Sequence, residues 1–135
     1  TMEFIAIGQG MTGRDFARGN NAYQAAAVAI AQFMEEFDVI LSPTLSAPPL
    51  PLGRIGLDTG RSMAEWGREV GTFTAFTGIA NGTGQPAMSL PLAMSADGLP
   101  IGVMVTGRYG EEGLLFRLAG QVERAAPWIG RRAKV

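Results

Sequence analysis

The chain has 135 residues, 47% hydrophobic and 17% charged, a composition typical of a packed domain, or part of one, and not of a disordered segment. Its net charge of -1 argues against nucleic acid as a partner. The sequence has no histidine and no cysteine, which excludes the usual zinc sites and the Ser-His-Asp and Cys-His catalytic arrangements.

The remaining candidates for a general base are few. The single lysine, Lys134, lies next to the C-terminus, where chains usually fray, so it is a poor base. We expect no cofactor and no metal. The apolar run in the first half of the chain is too short and too rich in alanine to span a bilayer. No secretory leader is visible, so we predict no membrane partner and take a cytoplasmic location as the default.

The first quarter of the chain is predicted to be mainly helical. Residues 2–7 fit either an extended or a helical segment. Thr12 is a good N-cap for a short helical turn through Arg18, which the Gly-Asn-Asn sequence at 19–21 would end. One of these asparagines would then cap a longer helix to about Glu36. That helix is apolar over most of its circumference, so we expect it to be buried on more than one side.

A strand and a long loop come next. The β-branched run Val39-Ile40-Leu41 is typical of a short buried strand, which Ser42-Pro43 would end. The proline-rich stretch from Pro43 to Gly60 predicts a loop, and a loop of this length often lies over a functional site.

A second helix is predicted after the loop. Ser62 and Glu65 have the spacing of a capping box. The helix would begin at Met63 and end either near Phe73 or near Ala80, and three glycines within this range weaken the helix.

The stretch from Asn81 to Gly107 predicts a β-hairpin. Two strand-like runs, 87–94 and 101–106, flank a turn at 95–98 that contains Asp-Gly, the strongest short signal for a hairpin. Pro91 lies inside the first run and cannot donate a ladder hydrogen bond, so it predicts a bulge or an unpaired position.

A last helix is predicted from Glu111 to Arg124, with Leu115, Leu118 and Val122 on one face. Residues 128–135 would form a flexible tail. The order of helices and strands indicates an α/β fold.

One motif suggests a different function. The sequence at 8–13, from Gly8 to Gly13, is a literal GxGxxG that follows the strand-like residues 4–7. A dinucleotide site also needs a helix from the last glycine and a second strand that ends in an acid. A nucleotide-binding module is therefore a less favoured alternative.

Five segments carry a further signal through their order and spacing. They are FDVILSPT at 37–44, Phe76-Thr77, NGTGQPAMSLP at 81–91, GLPIGV at 98–103 and the helix at 111–124. Together they resemble the C-terminal part of an amidase signature enzyme, from about Gln32 to Pro127. The resemblance covers most of the chain.

The resemblance implies an α/β/α fold, with a mixed sheet, a β-hairpin and flanking helices. It implies hydrolysis of an amide to a carboxylate plus ammonia or an amine, by a Ser–cis-Ser–Lys triad in the N-terminal half of the family fold. No serine of this chain matches a triad position, so we expect no catalytic residue here. Residues 1–135 would be one segment, the C-terminal part of an amidase, inactive alone.

The resemblance also implies where a small amide substrate would bind. The loop from Pro43 to Arg61 and the segment from Thr74 to Thr77 would line the acyl or leaving-group pocket. The candidate substrate-binding residues are Thr44, Thr74, Phe76 and Thr77. An alternative is a non-catalytic structural module that self-associates through an exposed apolar surface.

Overall fold

A computed structural model of the chain describes residues 2–57 and 60–131. Within them lie five helices and three strands, in the order α1 Met2–Gln9, α2 Gly13–Phe33, β1 Val39–Pro43, α3 Met63–Phe73, α4 Thr77–Thr83, β2 Ala87–Met94, β3 Pro100–Gly107 and α5 Glu112–Ala125. The predicted α/β class is confirmed. The predicted flexible tail at 128–135 lies partly outside these residues and stays a prediction, and Lys134 lies outside them altogether.

The three strands form one sheet in the order β1-β3-β2, so β3 is the central strand. Both described strand pairs are antiparallel, and the mixed sheet that the resemblance implies is not seen in this part of the chain. Because neighbours flank β3 on both sides, its last four residues, Met104 to Gly107, are buried. Since side chains alternate along a strand, the buried side chains of Met104, Val105 and Thr106 cover both faces of the sheet.

The hydrophobic core lies between the sheet and α5. Leu90 of β2, Val105 of β3 and Leu115 of α5 are its buried members. Leu118 and Val122 pack against them from the same helix, as their spacing predicts. The predicted helix face is therefore confirmed, and it covers one face of the sheet.

The predicted hairpin is confirmed as β2 and β3. Its turn closes through hydrogen bonds from the Ser95 N–H to the Leu99 carbonyl (2.8 Å) and from the Gly98 N–H to the Ser95 carbonyl (3.0 Å). Gly98 has a φ of 77°, in the left-handed region that favours glycine. The strand register shifts between Leu90 and Ala93, so the predicted irregularity at Pro91 is also confirmed.

The N-terminal helices differ from the prediction. Residues 2–9 are helical, and α2 runs without a break across 19–21 to Phe33, so the predicted break and second N-cap are wrong. The Thr12 cap is confirmed, but it opens the whole 21-residue helix. Once a helix is nucleated, each added residue gains a hydrogen bond. This gain and the following alanines outweigh the modest cost of one glycine and two asparagines.

The expected burial of α2 on more than one side is wrong for this chain. No residue of α2 is buried, and Phe16 and Tyr23 are 75% and 59% exposed. The reason is that only the short α4 packs against it to an appreciable extent among the described residues. Neither α2 nor any other described helix has the length and apolar content needed to cross a membrane.

The C-terminal end of α2 is nevertheless firmly attached to the sheet. Met34, which follows the helix, is only 1% exposed. The Gln85 side chain donates to the Met34 sulfur (2.9 Å) and to the Gly107 carbonyl (3.0 Å). The Arg108 side chain donates to the Met34 carbonyl (2.9 Å) and pairs with Asp38 (3.1 Å). Two polar side chains thus connect the end of α2 to the end of β3.

The second predicted helix begins as expected and ends at Phe73, the nearer of its two predicted ends. The capping box of Ser62 and Glu65 is confirmed. The helix stops at Phe73, because Thr74 leaves the helical conformation (φ -101°, ψ 24°). The hydroxyl and the N–H of Thr74 both donate to the Val70 carbonyl and close the last turn. The alternative extension to Ala80 is therefore replaced by a separate helix, α4.

Both capping boxes hold a carboxylate against a hydroxyl and an N–H. The Thr12 hydroxyl and N–H donate to Asp15 at 2.6 and 3.0 Å, and those of Ser62 donate to Glu65 at 2.7 and 3.1 Å. These bonds favour the ionised form. The hydroxyl bond, followed by the backbone bond, lowers the pKa of Asp15 and of Glu65 below their ordinary values.

Leu115→Ala tests the core between α5 and the sheet. Leu115 is 3% exposed, so its truncation should lower the free energy of unfolding by about 2–5 kcal/mol. Its neighbour Phe116 is 69% exposed and provides a matched control, and Phe116→Ala should change stability by less than about 0.5 kcal/mol. Urea denaturation followed by circular dichroism measures both, and equal losses would contradict the described packing.

Glu65→Gln tests the second capping box through its pH dependence. Because the folded-state pKa of Glu65 is lowered, its stabilising contribution is complete above the ordinary pKa. That contribution is lost as the pH falls through the lowered pKa. Urea denaturation from pH 7 to pH 3 should therefore show a smaller acid loss of stability for Glu65→Gln than for the wild type. Ser62→Ala should reduce the acid loss in the same way, and an unchanged loss in both variants would contradict this account.

Candidate substrate cavity

A cavity of about 700 Å³ opens beside the C-terminal end of β1. Its walls come from the residues after β1, from the hairpin and from the start of α4. They are mostly apolar: Pro43, Thr44, Leu45, Ser46, Ala47, Pro48, Pro49, Phe76, Ser89, Pro91, Pro100, Ile101 and Gly102. No charged side chain is among these described residues. The volume and lining are those of a site for a small, largely apolar molecule.

Two hydroxyl groups meet in this cavity. Thr44 directly follows β1, and its N–H donates to the Gly102 carbonyl (3.0 Å), which continues the pairing of β1 with β3. Ser89 lies on β2, on the other side of β3. The hydroxyl oxygens of Thr44 and Ser89 are 2.6 Å apart, within hydrogen-bonding distance. The two side chains therefore reach each other across the central strand.

Gly102 makes this contact across β3 possible. A β-carbon at Gly102 would lie 2.6 Å from the Ser89 hydroxyl oxygen and 2.7 Å from that of Thr44. Such distances are too short for any real side chain. The pair of hydroxyls thus lies directly over the bare backbone of the central strand.

The loop that forms one wall is held against α3. Glu69 of α3 pairs with Arg54 at 2.8 Å and also with Arg61, and both arginines belong to the loop. The Trp66 indole N–H donates to the Ile55 carbonyl at 2.9 Å. These contacts hold the far end of the loop, and they give the proline-rich wall a fixed support.

The four predicted substrate-binding residues lie in two settings. Thr44 and Phe76 line the cavity together. Thr74 and Thr77 are not among the described lining residues, and their hydroxyls donate to the carbonyls of Val70 (2.9 Å) and Thr74 (3.0 Å). Their hydroxyl protons are therefore used at the junction of α3 and α4, and their role in substrate binding stays a prediction.

The sequence analysis missed Ser89 and Gly102 as cavity residues. A serine in an otherwise apolar strand was the available signal for Ser89. Its partner could not be identified from that signal, because the pairing depends on the register of two strands against a third.

The structure also contradicts the strand–loop–helix context that the dinucleotide fingerprint requires. The motif at 8–13 follows α1, a helix, where the dinucleotide fingerprint requires a strand. The strand-like interpretation of residues 4–7 is therefore wrong. Within the described residues, no group of three or more acidic side chains could hold a metal ion.

Comparison with known proteins agrees with this architecture. Residues 11–116 match the family model of the amidases. The chain is 34% identical to the 6-aminohexanoate-cyclic-dimer hydrolase of Pseudomonas sp. (strain NK87), over 98% of this chain and 28% of that protein. It is 44% identical to a putative amidase, AmiC, of Mycobacterium leprae, over 73% of this chain and 20% of that protein.

A solved structure of a 6-aminohexanoate cyclic dimer hydrolase superimposes with a TM-score of 0.88, at 34% identity, over 97% of this chain. The chain spans only 28% of that structure. The order of elements, the matched family model and the superposition lead to one conclusion: this chain belongs to the amidase signature family.

Proposed function

We propose that this chain is the C-terminal part of an amide hydrolase and that it forms one wall of the substrate cavity. The observation that carries the proposal is the superposition of nearly the whole chain on about a quarter of a cyclic-dimer hydrolase. The reaction would add water across a carbon–nitrogen bond and give a carboxylate plus ammonia or an amine. The Ser–cis-Ser–Lys triad would come from the part of the family fold that this chain does not span.

The chemistry of the cavity supports a binding role for this chain. Ser89 and Thr44 each carry a hydroxyl group, and a hydroxyl is a weak nucleophile until a base removes its proton. The sequence has no histidine, and its one lysine lies outside the described residues. The only partner that the described residues give either hydroxyl is the other one, which supplies no base. We therefore assign them to binding, together with Phe76.

The purified chain should release no ammonia or amine from small amides, because the described residues give neither cavity hydroxyl a base that would activate it as a nucleophile. Replacement of the corresponding quarter of the Pseudomonas hydrolase by this chain should give a chimera that hydrolyses the 6-aminohexanoate cyclic dimer. Amine release measures both proteins, and the chimera without its own catalytic serine provides the background.

Two results would contradict the proposal. One is amide hydrolysis by the isolated chain that disappears when one of its own serines is replaced. The other is a folded chimera with no activity above the background.

A second candidate function is that of a self-associating structural module. The observation that favours it is the exposed apolar surface of the first two helices, where Phe4, Ile7 and Phe16 are 51%, 57% and 75% exposed. Surfaces of this kind promote association.

If the second candidate holds, the sedimentation coefficient of the chain should rise with concentration in analytical ultracentrifugation. Phe16→Ser should weaken this dependence, because it removes apolar area from a side chain that supports no core. A monodisperse monomer with cooperative melting would count against self-association.

A further inference from the structure

We infer that the paired hydroxyls of Thr44 and Ser89 are the polar anchor of the cavity and that they select neutral amides with apolar substituents over charged ones. The inference rests on the proposed function, since it names the class of substrate that the cavity would accept. It adds Ser89 and Gly102 to the residues that determine specificity.

The Thr44 and Ser89 hydroxyls together leave one O–H free for a ligand. Two hydroxyls bring two protons, and the 2.6 Å contact between them uses one. Among the described residues, neither side chain has another hydrogen-bond partner, so one O–H remains for a ligand. Because a hydroxyl that already accepts a hydrogen bond is a stronger donor, the remaining O–H suits an amide carbonyl oxygen.

The two hydroxyls are accessible from the cavity. Ser89 is exposed and Thr44 is half-buried, so both are open to the cavity. Within the lining, the other side chains are mainly prolines, Leu45, Phe76 and Ile101, which can contact a hydrocarbon chain. The site thus combines one small polar point with a broad apolar wall.

The described lining of the cavity carries no charged side chain. A carboxylate or an ammonium group that enters such a cavity loses hydration and finds no counter-charge there. A neutral amide loses less hydration, and the free O–H replaces part of it. The cavity therefore discriminates by charge as well as by shape.

The pairing of the three strands fixes the positions of the two hydroxyls. Thr44 is placed by the β1–β3 pairing, Ser89 by the β2–β3 pairing, and both oxygens lie over Gly102. Since three strands fix the two side chains, the donor is held in position before a ligand arrives.

The test is a titration of the isotopically labelled chain with hexanamide, followed by the amide resonances of Thr44, Ser89 and Gly102 in NMR spectra. Hexanamide should shift these resonances in a saturable way. Hexanoate, which has the same hydrocarbon chain, and hexylammonium, whose chain is one carbon longer, should bind at least tenfold more weakly.

Substitutions at the pair separate the hydroxyls from the shape of the side chains. Thr44→Val combined with Ser89→Ala removes both O–H groups, so hexanamide should bind at least tenfold more weakly. Thr44→Ser keeps the hydroxyl and should bind within about threefold of the wild type. Gly102→Ala should also lose binding, whereas Gly71→Ala, which has open space around its Cα, should not.

Equal binding of hexanamide and hexanoate would overturn the inference, as would equal binding by the wild type and the double variant Thr44→Val/Ser89→Ala. Absence of a saturable shift, or shifts confined to residues outside the cavity, would overturn it too. The ligand series on the wild type decides the question even if a variant unfolds. An active chimera with no hexanamide binding at the pair would refute the inference alone, and an inactive chimera with such binding would refute only the proposed function.

Discussion

The pairing of β3 with both β1 and β2 is the constraint on which the rest of this structure depends. It buries Met104, Val105 and Thr106 and gives α5 a surface against which to pack. It also brings the residue after β1 and a residue of β2 together over Gly102. Core and cavity are thus two products of one set of backbone hydrogen bonds, and a change of register in either strand pair would disturb both.

One face of the sheet packs against α5, and the other face lies towards the cavity. Leu90 and Val105 lie on the side covered by α5, where the requirement is close packing of apolar side chains. Ser89 and Met104 are paired residues, and alternation places them on the opposite side. Ser89 and Gly102, which are small residues on that side, leave room for a ligand. This chain thus obtains a packed core and an open cavity from adjacent residues of the same strands.

Local sequence signals predicted the features that depend on neighbouring residues. The Asp-Gly turn, the irregularity at Pro91 and the capping box at Ser62 are of this kind, and each was confirmed. The continuity of α2 was missed, because a favourable run of alanines overrides a weak local break. Its burial was also mispredicted, because burial depends on what surrounds a helix and not on its own pattern. In the cavity, position in the chain led to Thr44, but Ser89 became visible only with the sheet register.

The two strand pairings also differ in the length of chain that they close. The β2–β3 pairing joins residues on either side of a short turn, whereas the β1–β3 pairing brings Pro43 against Val103, about sixty residues away in the chain. Loop-closure entropy rises with the logarithm of that separation, so the distant pairing costs about 2 kcal/mol more to initiate. We therefore expect the hairpin to form first and β1 to join it afterwards. In that order, Thr44 and Ser89 would meet only once β1 has joined, so the cavity would acquire its pair of hydroxyls after the hairpin has formed.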